Sequence, residues 1–201
     1  MLLSINPEHP EPRKIGKAVE LLEKGEIIGY PTDTVYGLGC DILNKSAIER
    51  IYQLKGMRKD KALAFICPDL SDISRYAVVE NHTYRLLKRF LPGPYTFILP
   101  ATREVPKYLH LKQKTVGIRV PAHPVPVALV KALGRPLIST TAAPMGDDPL
   151  VDPAEIDDLF KGLGLVLDAG AGGLVPTTVV DLSEGSVRIV REGAGPVDEL
   201  V

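Results

Sequence analysis

The chain contains no tryptophan, and its 201 residues include only two cysteines and four histidines. Cys40 and Cys67 have neither metal-ligand spacing nor a C-x-x-C arrangement. With so few imidazoles beside them, they argue against a tightly bound, protein-ligated metal. No apolar run is long enough to span a membrane, because charges interrupt each one. Residues 1–12 are polar and proline-rich, with Glu8 and Glu11, and lack the basic-then-apolar pattern of a signal peptide. A reducing, cytoplasmic setting without membrane contact is therefore the expectation. Nucleotide motifs are missing too. There is no G-x-x-x-x-G-K-S/T, and in Gly37-Leu38-Gly39 the third glycine of a G-x-G-x-x-G would fall at Ile42. No nucleophile–base pair and no pair of catalytic carboxylates stands out. His9, His82, His110 and His123 lie in polar or proline-flanked stretches, where a surface role is expected. An enzyme made from these residues would act by positioning and electrostatics.

What is present suits a buried core in one large domain or a tight pair of subdomains: 45% of the residues are apolar and 24% charged. Eighteen prolines and eighteen glycines imply many rigid turns. Apolar positions at helical spacing predict helices over 13–24, 46–54, 81–90 and 124–133, and a further one opened by Asp152-Pro153 and ending near Gly162. Ser46 and Glu49 have capping-box spacing. Strands are predicted over 26–30, 62–67, 95–101, 115–120, 136–139, 163–168, 177–182 and 187–191. The last two are joined by the hairpin turn Ser183-Glu184-Gly185-Ser186, so an α/β layer fold with a mixed sheet follows.

Charge is uneven. Residues 50–119 hold 14 Lys or Arg against 5 Asp or Glu, while the whole chain has a net charge of −1. The basic block either forms a phosphate-binding surface or scatters on folding. Three hydroxyl clusters, Thr32-Asp33-Thr34, Ser139-Thr140-Thr141 and Thr177-Thr178, lie at strand ends, where α/β folds open ligand crevices; threonine also favours strands and turns for its own sake. Lys55, Arg58, Lys59 and Lys61 would suit polyphosphate or a nucleic-acid backbone, or form a solvated loop. Arg119, inside the apolar run 116–120, needs an anion, either a ligand or a structural carboxylate such as Asp33 or Asp181. Ala169-Gly170-Ala171-Gly172-Gly173 reads as a flexible connection rather than a ligand cradle.

Together these segments resemble a known family. Tyr30-Pro31-Thr32-Asp33-Thr34-Val35-Tyr36-Gly37-Leu38-Gly39 is similar to the opening block of the YrdC/TsaC/YciO family. Leu54-Lys55-Gly56, Leu91-Pro92-Gly93-Pro94-Tyr95-Thr96, Val116-Gly117-Ile118-Arg119-Val120-Pro121, Thr177-Thr178-Val179-Val180-Asp181 and Arg191-Glu192-Gly193-Ala194-Gly195 follow in the family's order. The resemblance implies a YrdC-like domain over 12–201 with an extension at 1–11. It also implies a twisted mixed parallel/antiparallel sheet with flanking helices (YrdC/RibB-like) and a concave basic face, and binding of double-stranded RNA or tRNA. In one branch it implies synthesis of threonylcarbamoyl-adenylate from L-threonine, bicarbonate and ATP, with Mg2+ accompanying the nucleotide, for modification of tRNA adenosine 37. Carried over by position, Lys55, Arg58, Lys61, Arg119, Thr141 and Arg191 would bind nucleotide. Thr34, Tyr36 and Thr177 would touch the substrate, and Arg58, Lys59, Arg85, Lys88 and Arg89 would touch RNA. Three positions depart from the synthase pattern. Met57 replaces the Arg of K-x-R, Ala143 the Asn of S-x-N, and Ile66 a histidine. The closing blocks are closer to the YciO branch, so an RNA-binding module or an adenylate-removing hydrolase without synthase activity stands as the alternative.

Overall fold

Helix boundaries follow from local capping. In the computed structural model, which describes residues 1–58, 62–109 and 114–200, α1 (Pro12–Glu23) buries Ile15, Ala18, Val19 and Leu22 on one side. The next helix, α2 (Lys45–Lys55), is capped by the Asn44 side chain, which accepts the Ala47 N–H at 2.9 Å. The Ser46/Glu49 box is therefore not the cap: with Asn44 as the cap, Ser46 already lies inside the first turn of α2. Gly56 closes α2 at a φ of 62°. Short α3 (Leu70–Tyr76) is capped by Asp69, and α4 (Asn81–Phe90) follows. Pro124 opens α5 (Pro124–Leu133), Gly134 ends it, and Asp152 caps α6 (Pro153–Leu159).

The strands are β1 (Leu2–Ser4), β2 (Ile28–Tyr30), β3 (Gly37–Asp41), β4 (Ala64–Ile66), β5 (Tyr95–Pro100), β6 (Thr115–Arg119), β7 (Leu137–Thr141), β8 (Leu165–Asp168), β9 (Thr178–Asp181) and β10 (Arg188–Arg191). They form one ten-stranded sheet in the order β1-β8-β2-β3-β7-β4-β6-β5-β9-β10. Parallel pairs (β4 with β6, β5 with β9) stand beside antiparallel ones (β3 with β7, β9 with β10), the mixed sheet that the hairpin implied. Residues 1–11 contribute to this sheet, because Leu2–Ser4 pairs in parallel with β8 at its edge.

Side-chain alternation divides the core in two. Ile28, Tyr30, Ile66, Leu137, Leu165 and Leu167 turn towards α1 and α5. Ile27, Phe65, Ile138 and Val166 turn the other way, to α2, α3, α4 and α6. The cover by α1 and α5 is only partial. On their side of the sheet, β4, β6, β5 and β9 present Ala64, Gly117, Thr96, Ile98 and Val179 to a cleft that no helical residue lines among the described residues. The burial of β5 records this. Tyr95, Phe97 and Leu99 are buried, whereas Thr96, Ile98 and Pro100 are half-buried. No helix of the described residues is long and apolar enough to cross a membrane.

Candidate functional site

The uncovered half of the sheet forms a concave cavity of about 190 Å3. Its floor is made of small residues, Gly37, Ala64, Gly117 and Ser139, which leave room for a ligand above the strands. Gly37 is required for a second reason: a Cβ there would lie 2.9 Å from the Tyr30 ring and 3.2 Å from Ser139 Oγ. Tyr30, fully buried, shares a short hydrogen bond with that Ser139 hydroxyl.

One wall is the loop between β2 and β3, pinned by Arg119. A single guanidinium nitrogen, Nη2, donates to Asp33 Oδ1 at 2.6 Å, Thr34 Oγ1 at 2.8 Å and Thr32 Oγ1 at 3.1 Å. Thr32 Oγ1 in turn donates to the Val35 carbonyl at 2.6 Å and accepts the Thr34 N–H at 3.1 Å, folding the loop on itself. The Arg119 and Asp33 side chains are only 9% and 11% exposed, yet two of their atoms, Arg119 Nε and Asp33 Oδ2, are buried without a partner. Arg119 therefore pairs with a structural carboxylate through Nη2, while its buried Nε has no partner among the described residues.

The glycine-rich segment closes over the same loop. Tyr36 donates its hydroxyl to the Gly170 carbonyl at 2.7 Å and accepts the Ala169 N–H at 3.0 Å. A Cβ on Gly173 would come within 2.0 Å of the Thr34 carbonyl, and one on Gly172 within 2.6 Å of the Tyr36 ring. These glycines serve close backbone packing, which corrects their reading as a flexible connection.

The opposite wall carries Arg191, on edge strand β10. It donates to the Thr177 carbonyl at 2.8 Å and to Thr177 Oγ1 at 3.3 Å, and that hydroxyl also meets Thr96 Oγ1 at 3.1 Å. Burial, and then the neighbouring Arg119 charge, hold the Arg191 pKa below its usual value. Behind it, Gly193 N–H donates to Thr178 Oγ1, and Thr178 Oγ1 donates to the Gly195 carbonyl, so the Arg191-Glu192-Gly193-Ala194-Gly195 segment is a latch on β9. Lys55, at the end of α2, donates to the Thr141 carbonyl at 2.8 Å, and burial lowers its pKa to about 8. Arg119 and Arg191 thus bring two cations to the cleft, offset by Asp33, while Lys55 stands behind its Thr141 edge.

The structure therefore gathers Tyr36, Arg119, Thr141, Thr177 and Arg191 around the cavity, with Thr34 joined through Arg119 and Lys55 through Thr141. Arg58 does not line it, and Lys59 and Lys61 lie outside the described residues. Arg85, Lys88 and Arg89 are exposed on α4 and do not line it either; Arg89 pairs with Glu199 at 2.8 Å. The departures sit differently. Ile66 lines the cavity, whereas Ala143 is buried and Met57 packs against the core. His123 is no surface group. It is half-buried, its Nδ1 accepts the Val125 N–H at the start of α5, and burial lowers its pKa. His110 lies outside the described residues. Ser139 and Thr96 had a sequence signal in strand alternation, since they share a face with Gly37 and Gly117, but that face could be identified only once α1 and α5 were placed.

The family model for Sua5, YciO and YrdC proteins, described as telomere recombination, matches residues 20–193. The chain is 44% identical over 196 residues to Escherichia coli K12 YciO, described as uncharacterized, covering 96% of this chain and 95% of that protein. The crystal structure of E. coli YciO covers 100% of the chain and 99% of its own at a TM-score of 0.96 and 42% identity. The chain is 30% identical to the threonylcarbamoyl-AMP synthase of Pyrococcus abyssi over 96% of its length, but spans only 58% of that enzyme. The structure of P. abyssi Sua5 complexed with L-threonine superposes at a TM-score of 0.92 with 30% identity, covering 100% of this chain and 59% of that one.

Proposed function

The chain belongs to the Sua5/YciO/YrdC family, and from that premise we propose that its cleft binds ATP or an adenylate together with an α-amino acid, as a threonylcarbamoyl-AMP synthase-like site. The observation that carries this reading is the convergence of Arg119 and Arg191 with threonine hydroxyls over a floor of small residues, with Lys55 joined through Thr141. The cations offset phosphate charge in a partly desolvated cleft, where each interaction is stronger than in water. The second ligand is supported by Arg119, whose guanidinium lines the cleft and complements the carboxylate of an amino acid. In the synthase reading the L-threonine amine first takes up bicarbonate as a carbamate with loss of water. A carbamate oxygen then attacks the α-phosphorus of ATP, and pyrophosphate leaves. Mg2+ would enter with the phosphates. Among the described residues no group of three or more His, Cys, Asp or Glu side chains could hold it.

The test is mass-spectrometric: purified protein with ATP, Mg2+, L-threonine and bicarbonate, scored for threonylcarbamoyl-AMP and pyrophosphate. The expected result is an adduct dependent on both threonine and bicarbonate. Arg191→Ala is the cleaner variant, because Arg119 also holds the 31–36 loop together. It should weaken ATP binding about tenfold or more, as loss of a charged hydrogen bond does. Unchanged ATP affinity in Arg191→Ala would refute the site.

A second reading rests on Ile66, which puts an apolar side chain on the cavity at the position that aligns with a histidine in some members of the family. It makes the protein an adenylate-removing hydrolase. ATP binding without adduct formation, with release of AMP from threonylcarbamoyl-AMP, would establish it. Binding of double-stranded RNA or tRNA is a separate proposal, supported by the exposed Arg85 and Lys88 of α4. It predicts an affinity that falls steeply with salt, and salt-insensitive or absent binding counts against it.

A further inference from the structure

Tyr30 is wholly buried at the flank of the cleft, with its ring against Gly37 and Gly39. Among the described residues its hydroxyl has one polar partner, Ser139 Oγ, 109 positions away in sequence. Burial raises the phenol pKa to about 12, so it keeps its proton at any physiological pH. That proton can be shared in two ways. If Ser139 donates to Tyr30, the phenolic proton points into an apolar core with no acceptor, the costly outcome for a buried donor. If Tyr30 donates to Ser139, both groups are satisfied on the core side, and the serine proton is left to seek an acceptor elsewhere.

Elsewhere is the cleft. Ser139 lines it, and its partners across β3 and β4 are Gly39 and Ala64, neither of which has a side chain that fills the space above it. Thr177, by contrast, already has its hydroxyl bound to Thr96 and Arg191. Gly37 independently protects the arrangement, since any Cβ there would press on the Tyr30 ring, the Tyr30 hydroxyl and Ser139 Oγ together. We propose that Ser139 is a preset hydrogen-bond donor to an oxyanion of the bound ligand, a nucleotide phosphate or an amino-acid carboxylate, and that Tyr30 is the positioning residue that fixes the direction of its proton. The inference rests on the reading of the cleft given above.

Isothermal titration of ATP, adenosine and L-threonine into the intact protein, Tyr30→Phe, Ser139→Ala and the double variant tests it. Ser139→Ala should weaken one oxyanion ligand about tenfold, near 1.4 kcal/mol. Tyr30→Phe should weaken the same ligand severalfold, and the double variant should bind no worse than Ser139→Ala alone, because Tyr30 acts only through that serine. Adenosine, with no oxyanion, should be unaffected. Loss for ATP assigns the phosphate as the partner, and loss for L-threonine the carboxylate. Unchanged binding of both in Ser139→Ala, additive losses in the double variant, or an equal loss for adenosine overturns the proposal. If Tyr30→Phe fails to fold, Ser139→Ala still decides it by the first and third of these outcomes. Intact protein that binds neither ATP nor L-threonine removes the reading of the cleft itself, and this proposal with it, before any variant is made.

Discussion

Lys55 is a cation placed where water is scarce, and its proton reports on the cleft. Free, it titrates near pH 8, against about 10.5 for an unburied lysine. Between those values the unfolded chain holds the proton and the folded one does not, so this group makes stability rise with pH across that window. Urea unfolding at pH 8 and pH 10 should therefore show the intact protein gaining stability relative to Lys55→Met. Binding runs the opposite way. A phosphate needs the charged amine, so ATP affinity should fall as pH rises through about 8, with proton uptake on binding near that pH. Titrations in buffers of different ionisation enthalpy check this, and Lys55→Met should remove the uptake. At this scale the sequence is legible where one residue contradicts its neighbours. Arg119 in an apolar strand announced a buried anion partner, and Asp33 supplies it. Ser139 gave no such signal, because its meaning depends on a tyrosine 109 residues away.

Between elements, close backbone approach does the joining. Gly173 lies against the Thr34 carbonyl, and Gly193 against Pro176 and Thr177, so two sequence-distant loops clamp the two walls of the cleft. Gly173→Ala should cost about 1–3 kcal/mol of stability through overpacking, read as a lowered urea midpoint. Because Thr34 must move, it should also weaken L-threonine or ATP binding. At the end of β3 far from the cleft, Asp41 accepts Arg135 Nε at 2.8 Å and Nη2 at 2.5 Å while only 3% exposed. Asp41→Ala should destabilise by about 2–4 kcal/mol with ligand affinity per folded molecule unchanged, a contrast with Gly173→Ala. Two helices, α4 and α5, were readable to the residue, because apolar spacing and Pro/Gly punctuation agree there; α1 and α2 were legible to within a residue, and short α3 was not foreseen. β3 was read only as a motif. Two of its five residues are glycine, which carries no strand propensity, and its pairing is fixed by the Tyr30 ring that those glycines admit.

For the whole molecule, the decisive fact is that α1 and α5 cover only part of their side of the sheet. Composition and periodicity announced layers of helix and strand but not which strands would stay bare, since that depends on the strand order, in which β7 sits between β3 and β4 and β9 lies beside β5. The cleft consequently takes residues from 34 and 36, from 117 and 119, from 139 and 141, and from 177 and 191. A ligand seated there acts as a non-covalent staple between the first and last quarters of the chain. Any opening that separates these strands dismantles the site and its contacts with the ligand. Saturating ATP should therefore slow amide exchange throughout β3, β6, β7 and β9 together rather than at the loops alone, and the slowing should equal the global gain set by ligand concentration over Kd. In that sense the bare half of the sheet ties the occupancy of its cleft to the integrity of the strands beneath it.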